Sequence, residues 1–167
     1  MKRFIAYAFG LTISAAGAAS AWAGEASTWA SADNRSSAAT ANYDGNGGRG
    51  YARTKTKSGR VNLAKGVAVG FDRDGIDLSV SGAVAGRFGP AVAGTFNMSI
   101  GRDGSVSKSF GGSVARGGHA RSAEASGLTR SRWHGTSSRA TAGGRTFGGG
   151  RVKARTHSRN WRPHPRW

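Results

Sequence analysis

The segment from residue 67 to residue 80 reads VAVGFDRDGIDLSV, and a second segment from residue 96 to residue 110 reads FNMSIGRDGSVSKSF. Each segment places an Arg-Asp-Gly triplet between two runs in which apolar residues alternate with small or polar ones, and the two triplets lie 29 residues apart. Strict alternation predicts half-buried β-strands, and Asp-Gly between two such runs predicts a tight hairpin turn. We therefore interpret the pair as a duplicated β-hairpin.

The same spacing of turn signals extends in both directions along the chain. Successive signals are 14 to 16 residues apart, at Asp44-Gly45, Ser58-Gly59, Asp74-Gly75, Gly89-Pro90, Asp103-Gly104 and Gly117-Gly118. They predict strands over 36–43, 48–57, 60–72, 76–87, 92–101 and 105–115, with a further strand at 119–126. Sequential strands joined by tight turns pair with their neighbours. The fold class is thus all-β, a small Gly-rich antiparallel meander of about six to seven strands. A β-roll or solenoid with rungs of about 15 residues is the alternative, because a fixed period is also typical of that architecture.

The predicted core is modest. Large apolar residues occupy alternate positions between Val61 and Val114, and Ala and Gly fill much of the remainder. Their alternation predicts one apolar face, which a curled sheet or a second copy of the chain would cover. An open sheet also has two free edges, so self-association is plausible.

The N-terminus has the pattern of an export signal. Lys2 and Arg3 precede an uncharged run of apolar and small residues, and Ala21-Trp22-Ala23 provides the small residues of a cleavage site. We predict a cleavable signal peptide over 1–23 and a secreted or periplasmic protein. A membrane anchor is the alternative, and the Ala-x-Ala pattern favours cleavage. Residues 24–35 are predicted to form a flexible leader before a repeated β-hairpin domain over 36–127.

Positive charge accumulates towards the C-terminus. The chain has 25 Lys and Arg against 8 Asp and Glu, a net charge of +17, and Glu124 is the last acidic residue. From residue 128 onwards, arginines are spaced by Gly, Ser and Thr, with few large apolar residues. Such a composition buries too little apolar surface to fold alone, so residues 128–167 are predicted to form a disordered Arg/Gly-rich tail.

Two groups of basic residues are candidates for binding polyanions. The first lies before the duplicated hairpin, where Arg53, Lys55 and Lys57 project from one face of an extended strand. Anionic polysaccharide, lipopolysaccharide or an anionic membrane surface are the expected partners, and nucleic acid is a less favoured one because the protein is exported. Alternatively, the first group only protects a sheet edge and the second only solubilises the chain. The candidates are Arg49, Arg53, Lys55, Lys57 and Arg60 in the first group, and Arg130, Arg132, Arg139, Arg145, Arg151, Lys153, Arg155, Arg159, Arg162 and Arg166 in the second.

The sequence offers little for catalysis or metal binding. The chain has no Cys, and its four His residues lack metal-ligand spacing, so neither a metal nor another cofactor is expected. Asp72 to Asp77 does not match a calcium loop, since the expected bidentate acid is replaced by Ala83. The Gly-Gly-Ser-Val-Ala sequence from Gly111 falls short of a hydrolase nucleophile motif. We therefore predict a non-enzymatic protein that binds anionic polymers or surfaces at the cell envelope or outside the cell. A structural, self-assembling β protein is the alternative, and a small hydrolase is a remote one.

Overall fold

The computed structural model describes residues 24–45, 48–133 and 135–163, and the predicted signal peptide lies outside these residues. The described chain is all-β and antiparallel, as predicted, with no helix. It therefore contains no helix that is long and apolar enough to span a membrane. The strands are β1 (Gly24–Asp33), β2 (Ser37–Asp44), β3 (Arg49–Lys57), β4 (Val61–Phe71), β5 (Gly75–Gly86), β6 (Ala91–Gly101), β7 (Val106–Arg116), β8 (Ala120–Arg132), β9 (Gly135–Phe147) and β10 (Arg151–Trp161).

The strands form two sheets that pack face to face. A four-stranded sheet has the order β2-β1-β8-β9, and a six-stranded sheet has the order β10-β7-β6-β5-β4-β3. Strands β3 to β7 are the predicted meander, because each pairs antiparallel with the next along the chain. Both Arg-Asp-Gly triplets lie in hairpin turns. In the first, Asp72 Oδ1 accepts hydrogen bonds from the backbone N–H groups of Asp74 and Gly75. The triplets therefore have a structural role, which is to form the hairpin turns.

The structure differs from the sequence expectation at both ends of the predicted domain. Residues 24–35, expected to be a flexible leader, contain β1, which pairs with β8 along its whole length. Residues 128–167, expected to be a disordered tail, contain the end of β8 and all of β9 and β10. Each of β9 and β10 pairs along its whole length with one neighbouring strand, β8 and β7 respectively, so backbone hydrogen bonds hold these strands without many large side chains. The described chain therefore has ten strands rather than six or seven.

The core also differs from the expectation, since small residues fill the space between the sheets. Ala30, Ala64, Ala93 and Ala125 are buried there, together with other alanines and several serines. The large apolar residues between Val61 and Val114 point to the opposite side of the six-stranded sheet, where many are half-buried or exposed. The reason is steric: the four-stranded sheet presents mainly Ala, Ser, Thr and Gly, and two faces of small side chains approach each other closely.

Hydrogen bonds between side chains link the two sheets within this core. Ser79 Oγ donates to Asn97 Oδ1 at 2.7 Å and also contacts Thr28 Oγ1 of the other sheet at 2.8 Å. The Asn97 amide nitrogen donates to Ser109 Oγ and to the carbonyl oxygen of Arg139, both at 3.2 Å. Buried polar groups cost free energy unless they are paired, so these contacts stabilise one relative position of the sheets.

Candidate functional site

The candidate site is the outer face of the six-stranded sheet, the side turned away from the four-stranded sheet. Alternate residues of β4, β5, β6 and β7 point to this side, and the strand register places them in adjacent rows, for example Val80 beside Phe96 and Phe96 beside Phe110. We call this group the apolar patch: Val61, Leu63, Val67, Val69, Phe71, Ile76, Leu78, Val80, Val84, Val92, Phe96, Met98, Ile100, Val106, Phe110 and Val114.

The apolar patch is open to solvent. Phe96 is 41 % exposed, Phe110 53 % and Phe71 54 %. Isolated exposed apolar residues are ordinary on protein surfaces, but a contiguous patch larger than a few hundred Å² usually marks a binding surface. The continuity of the apolar patch makes it a candidate binding surface.

A basic strand borders the apolar patch on each side. On β3 the outward residues are Arg49, Tyr51, Arg53, Lys55 and Lys57, which we call the β3 stripe. On β10 the outward residues are Arg151, Lys153, Arg155, His157, Arg159 and Trp161, which we call the β10 stripe. All residues of both stripes are exposed. The register fixes the stripes to the same face as the apolar patch, since Arg53 pairs with Val67 and His157 pairs with Phe110.

Every charged residue at the outward positions of the six strands is basic. Lys65 and Lys108 add positive charge within the area of the apolar patch, and no outward position of the six strands holds an Asp or Glu. Because neighbouring strands lie about 4.8 Å apart, the two stripes are separated by roughly 24 Å. The face therefore combines an apolar centre with two parallel cationic borders.

The opposite side of the molecule has a different chemistry. On the outer side of the four-stranded sheet, Glu25, Asp33, Asp44 and Glu124 alternate with uncharged and basic residues. Arg130 lies on this side and forms a 2.7 Å ion pair with Glu25. Half of the eight acidic residues are therefore on this side. The two sides of the molecule are electrostatically distinct.

The structure places twelve of the fifteen predicted basic residues on one or the other side of the molecule. It brings the β3 and β10 residues Arg49, Arg53, Lys55, Lys57, Arg151, Lys153, Arg155 and Arg159 together on the outer face. It places Arg130, Arg132, Arg139 and Arg145 on the opposite side. Arg60 is exposed in the turn after β3 and Arg162 is exposed just after β10, while Arg166 lies outside the described residues.

The sequence reasoning missed the residues of the apolar patch as part of a site, because it assigned them to the core. It also missed His157, whose ring centroid lies 5.1 Å from that of Phe110 and connects the β10 stripe to the apolar patch. The available signal was the alternation of Arg151, Lys153 and Arg155 with Val, Ala and Thr, which is the period of a strand with one cationic face.

Comparisons with protein-family models, with curated protein sequences and with solved structures found no match. Within residues 24–45, 48–133 and 135–163, no group of three His, Asp or Glu side chains is arranged to hold a metal ion.

Proposed function

We propose that the protein is an exported, non-enzymatic protein that binds membrane surfaces rich in anionic lipid, at the cell envelope or outside the cell. The observation that carries this proposal is the apolar patch between two basic stripes, on a face without an acidic residue. Anionic lipids supply negative headgroups and hydrocarbon at one surface, which matches both parts of this face.

A purely hydrophilic polyanion matches only half of the face. Anionic polysaccharide would neutralise the stripes but would leave side chains such as Phe96 and Phe110 in water. Lipopolysaccharide has phosphates and acyl chains, and it belongs to the same class of ligand as an anionic bilayer. Trp161, 57 % exposed at the end of the β10 stripe, has the amphipathic ring that favours a membrane interface.

Stacking of two outer faces against each other is electrostatically unfavourable. It would bury the two apolar patches, but it would also bring basic stripes close to basic stripes with no acidic residue to compensate. Like charges brought together and desolvated repel, so the face fits a negatively charged partner better than a second copy.

The first test is co-sedimentation with lipid vesicles. We expect binding to vesicles of phosphatidylcholine mixed with phosphatidylglycerol, and much weaker binding to phosphatidylcholine alone. High salt should weaken the electrostatic part of binding. Equal binding to both vesicle types would contradict the proposal.

Charge variants then locate the binding face. The triple variant Arg53→Gln/Lys55→Gln/Lys57→Gln should bind anionic vesicles roughly a hundredfold more weakly, since each Lys or Arg near such a surface contributes about 1 kcal/mol. The matched control, Arg132→Gln/Arg139→Gln/Arg145→Gln, removes the same charge from the opposite side. The control should bind nearly as well as the wild type. Equal losses in the two variants would show that only net charge matters.

An apolar variant separates a lipid partner from a soluble polyanion. Phe96→Ser/Phe110→Ser should weaken vesicle binding most clearly at high salt, where the apolar contribution dominates. The same variant should bind heparin as the wild type does. If wild-type protein binds heparin more tightly than anionic vesicles and the Phe variant binds both like the wild type, the partner is a soluble polyanion.

A further inference from the structure

Within the part of the chain that the structure describes, both edges of the six-stranded sheet are free. Among the residues that the structure describes, no strand pairs with the outer edge of β3 or of β10. The two strands are 9 and 11 residues long, contain no proline, and are exposed along their whole length. Long, regular edges of this kind are templates for pairing with another chain.

The strand directions decide how a second copy would fit. Six strands alternate in direction from β3 to β10, so the first and the last run in opposite directions. A copy added at this edge, turned by the twist that neighbouring strands share, therefore places its β3 antiparallel to β10 of the first copy. The outer faces of the two copies then belong to the same face of one continuous sheet. Edge-to-edge pairing thus extends the apolar patch and both stripes across one continuous surface.

Positive charge opposes this pairing in solution. In the register that places Tyr51 opposite His157, basic residues of one stripe lie directly opposite basic residues of the other: Arg49 with Arg159, Arg53 with Arg155, Lys55 with Lys153 and Lys57 with Arg151. In the register that places Arg49 opposite Trp161, Lys55 meets Arg155 and Lys57 meets Lys153. Like charges at directly opposite positions destabilise a strand pair.

We propose that anionic lipid removes this repulsion, so that copies bound to a membrane join edge to edge, β10 of one copy against β3 of the next. The inference rests on the proposed function, because the same stripes bind the lipid and keep the edges apart. The contact is head-to-tail and does not close on itself, so the product is an open ribbon of copies on the membrane.

Engineered cysteines test the contact, since the natural chain has no Cys. Thr54 and Thr156 are exposed, lie near the middle of β3 and β10, and point away from the outer face. They lie at opposite edges of the sheet, roughly 24 Å apart, so a short bismaleimide cross-linker cannot join them within one chain. The experiment treats Thr54→Cys/Thr156→Cys with this cross-linker on vesicles containing phosphatidylglycerol.

We expect a ladder of covalent oligomers beyond the dimer on these vesicles, and at least tenfold less product without vesicles. Each single-cysteine variant should give no product, because the proposed contact joins β3 to β10. Dimers from a single variant would show a two-fold contact and would overturn the head-to-tail arrangement. A ladder of equal yield without vesicles would overturn the role of lipid.

Co-sedimentation of the double-cysteine protein in the same samples separates the two proposals. Binding to vesicles without cross-linked product overturns edge-to-edge assembly and leaves lipid binding intact. Failure to bind the vesicles overturns both.

Discussion

Ser131 Oγ donates a 2.6 Å hydrogen bond to Asp77 Oδ2 between the two sheets. Asp77 is the only Asp or Glu among the described residues that is almost fully buried within a strand, with 1 % of its surface exposed. Burial raises the pKa of its carboxyl, and the negative charge of Asp72 adds to this, while the hydrogen bond from Ser131 acts in the opposite direction. The carboxyl therefore couples folding to pH.

We expect the stability of the wild type to fall as the pH rises through the folded-state pKa of Asp77. The folded protein holds this proton more tightly than the unfolded chain, so the stabilisation is complete below the unfolded-state pKa and is lost above the folded-state value. Asp77→Asn should remove this pH dependence and be the more stable protein at neutral pH. Urea unfolding at a series of pH values measures it.

Asp103→Asn is the control for this prediction. Hydrogen bonds from Ser105 lower the pKa of the exposed Asp103 carboxyl, so its stabilisation is present at high pH and is lost as the pH falls through the folded-state pKa. The two variants should change the pH profile with opposite signs. If the stability of Asp77→Asn depends on pH in the same way as that of the wild type, the Asp77 carboxyl does not have the raised pKa that its burial implies.

The ring of Tyr43 lies against glycines, and this contact gives a second prediction. A Cβ atom at Gly70 or Gly50 would collide with the Tyr43 ring. Gly70→Ala should cost about 1–3 kcal/mol of unfolding free energy through overpacking. In the Tyr43→Ala background the same change should cost much less. Gly82→Ala, whose Cβ would meet only the Ala64 carbonyl oxygen at 3.8 Å, should stay within about 0.5 kcal/mol of wild type. Additive effects of Gly70→Ala and Tyr43→Ala would show that the contact is absent.

The unusual placement of large and small residues predicts an inverted pattern of mutational sensitivity. Ala125, 1 % exposed between the sheets, has no room to become Leu, so Ala125→Leu should cost about 1–3 kcal/mol. Phe96→Ser on the outer face should cost about 1 kcal/mol or less, because only cross-strand contacts are lost. Chemical denaturation of both variants measures this difference. A larger loss for Phe96→Ser would place the core on the other side of the sheet.

Glycines at the connections between sheets provide a matched pair. Gly118 and Gly149 have positive φ angles of 71° and 88°, but only Gly118 would bring a Cβ into collision with the backbone of Phe147. Gly149→Ala should cost about 1–2 kcal/mol from backbone strain alone, and Gly118→Ala clearly more. Thermal unfolding distinguishes the two. If the two variants lose the same amount of stability, backbone strain accounts for the effect at Gly118 and the collision with Phe147 does not contribute.

The meander could be predicted from the sequence because its information is local. Strands predicted at 60–72 and 92–101 are observed as Val61–Phe71 and Ala91–Gly101. The alternation of apolar with small or polar residues predicts each strand, and an Asp-Gly pair such as Asp74-Gly75 predicts the turn. Neither requires knowledge of a distant segment.

The second sheet and the buried side of the first could not be predicted in this way. The alternation of Val67 and Ala68 shows that two faces exist but does not show which one a distant segment will cover. That choice depends on β1 and β8, whose small side chains carry no strong signal of their own. The same weakness made β9 and β10 resemble a tail, although the alternating charges of β10 were visible. The candidate site was therefore predicted only in its basic residues.

The pairing of β1 with β8 also imposes an order on folding. Glu25 and Arg130 meet although they are 105 positions apart in the chain. The hairpins of β3 to β7 close over short loops, whereas β1 has no central partner until β8 is available, and contacts between distant segments form slowly. When the chain emerges with its N-terminus first, β1 therefore cannot pair with β8 until most of the chain has emerged. During the time before this pairing, the chain is still open to any transport apparatus that requires an extended polypeptide.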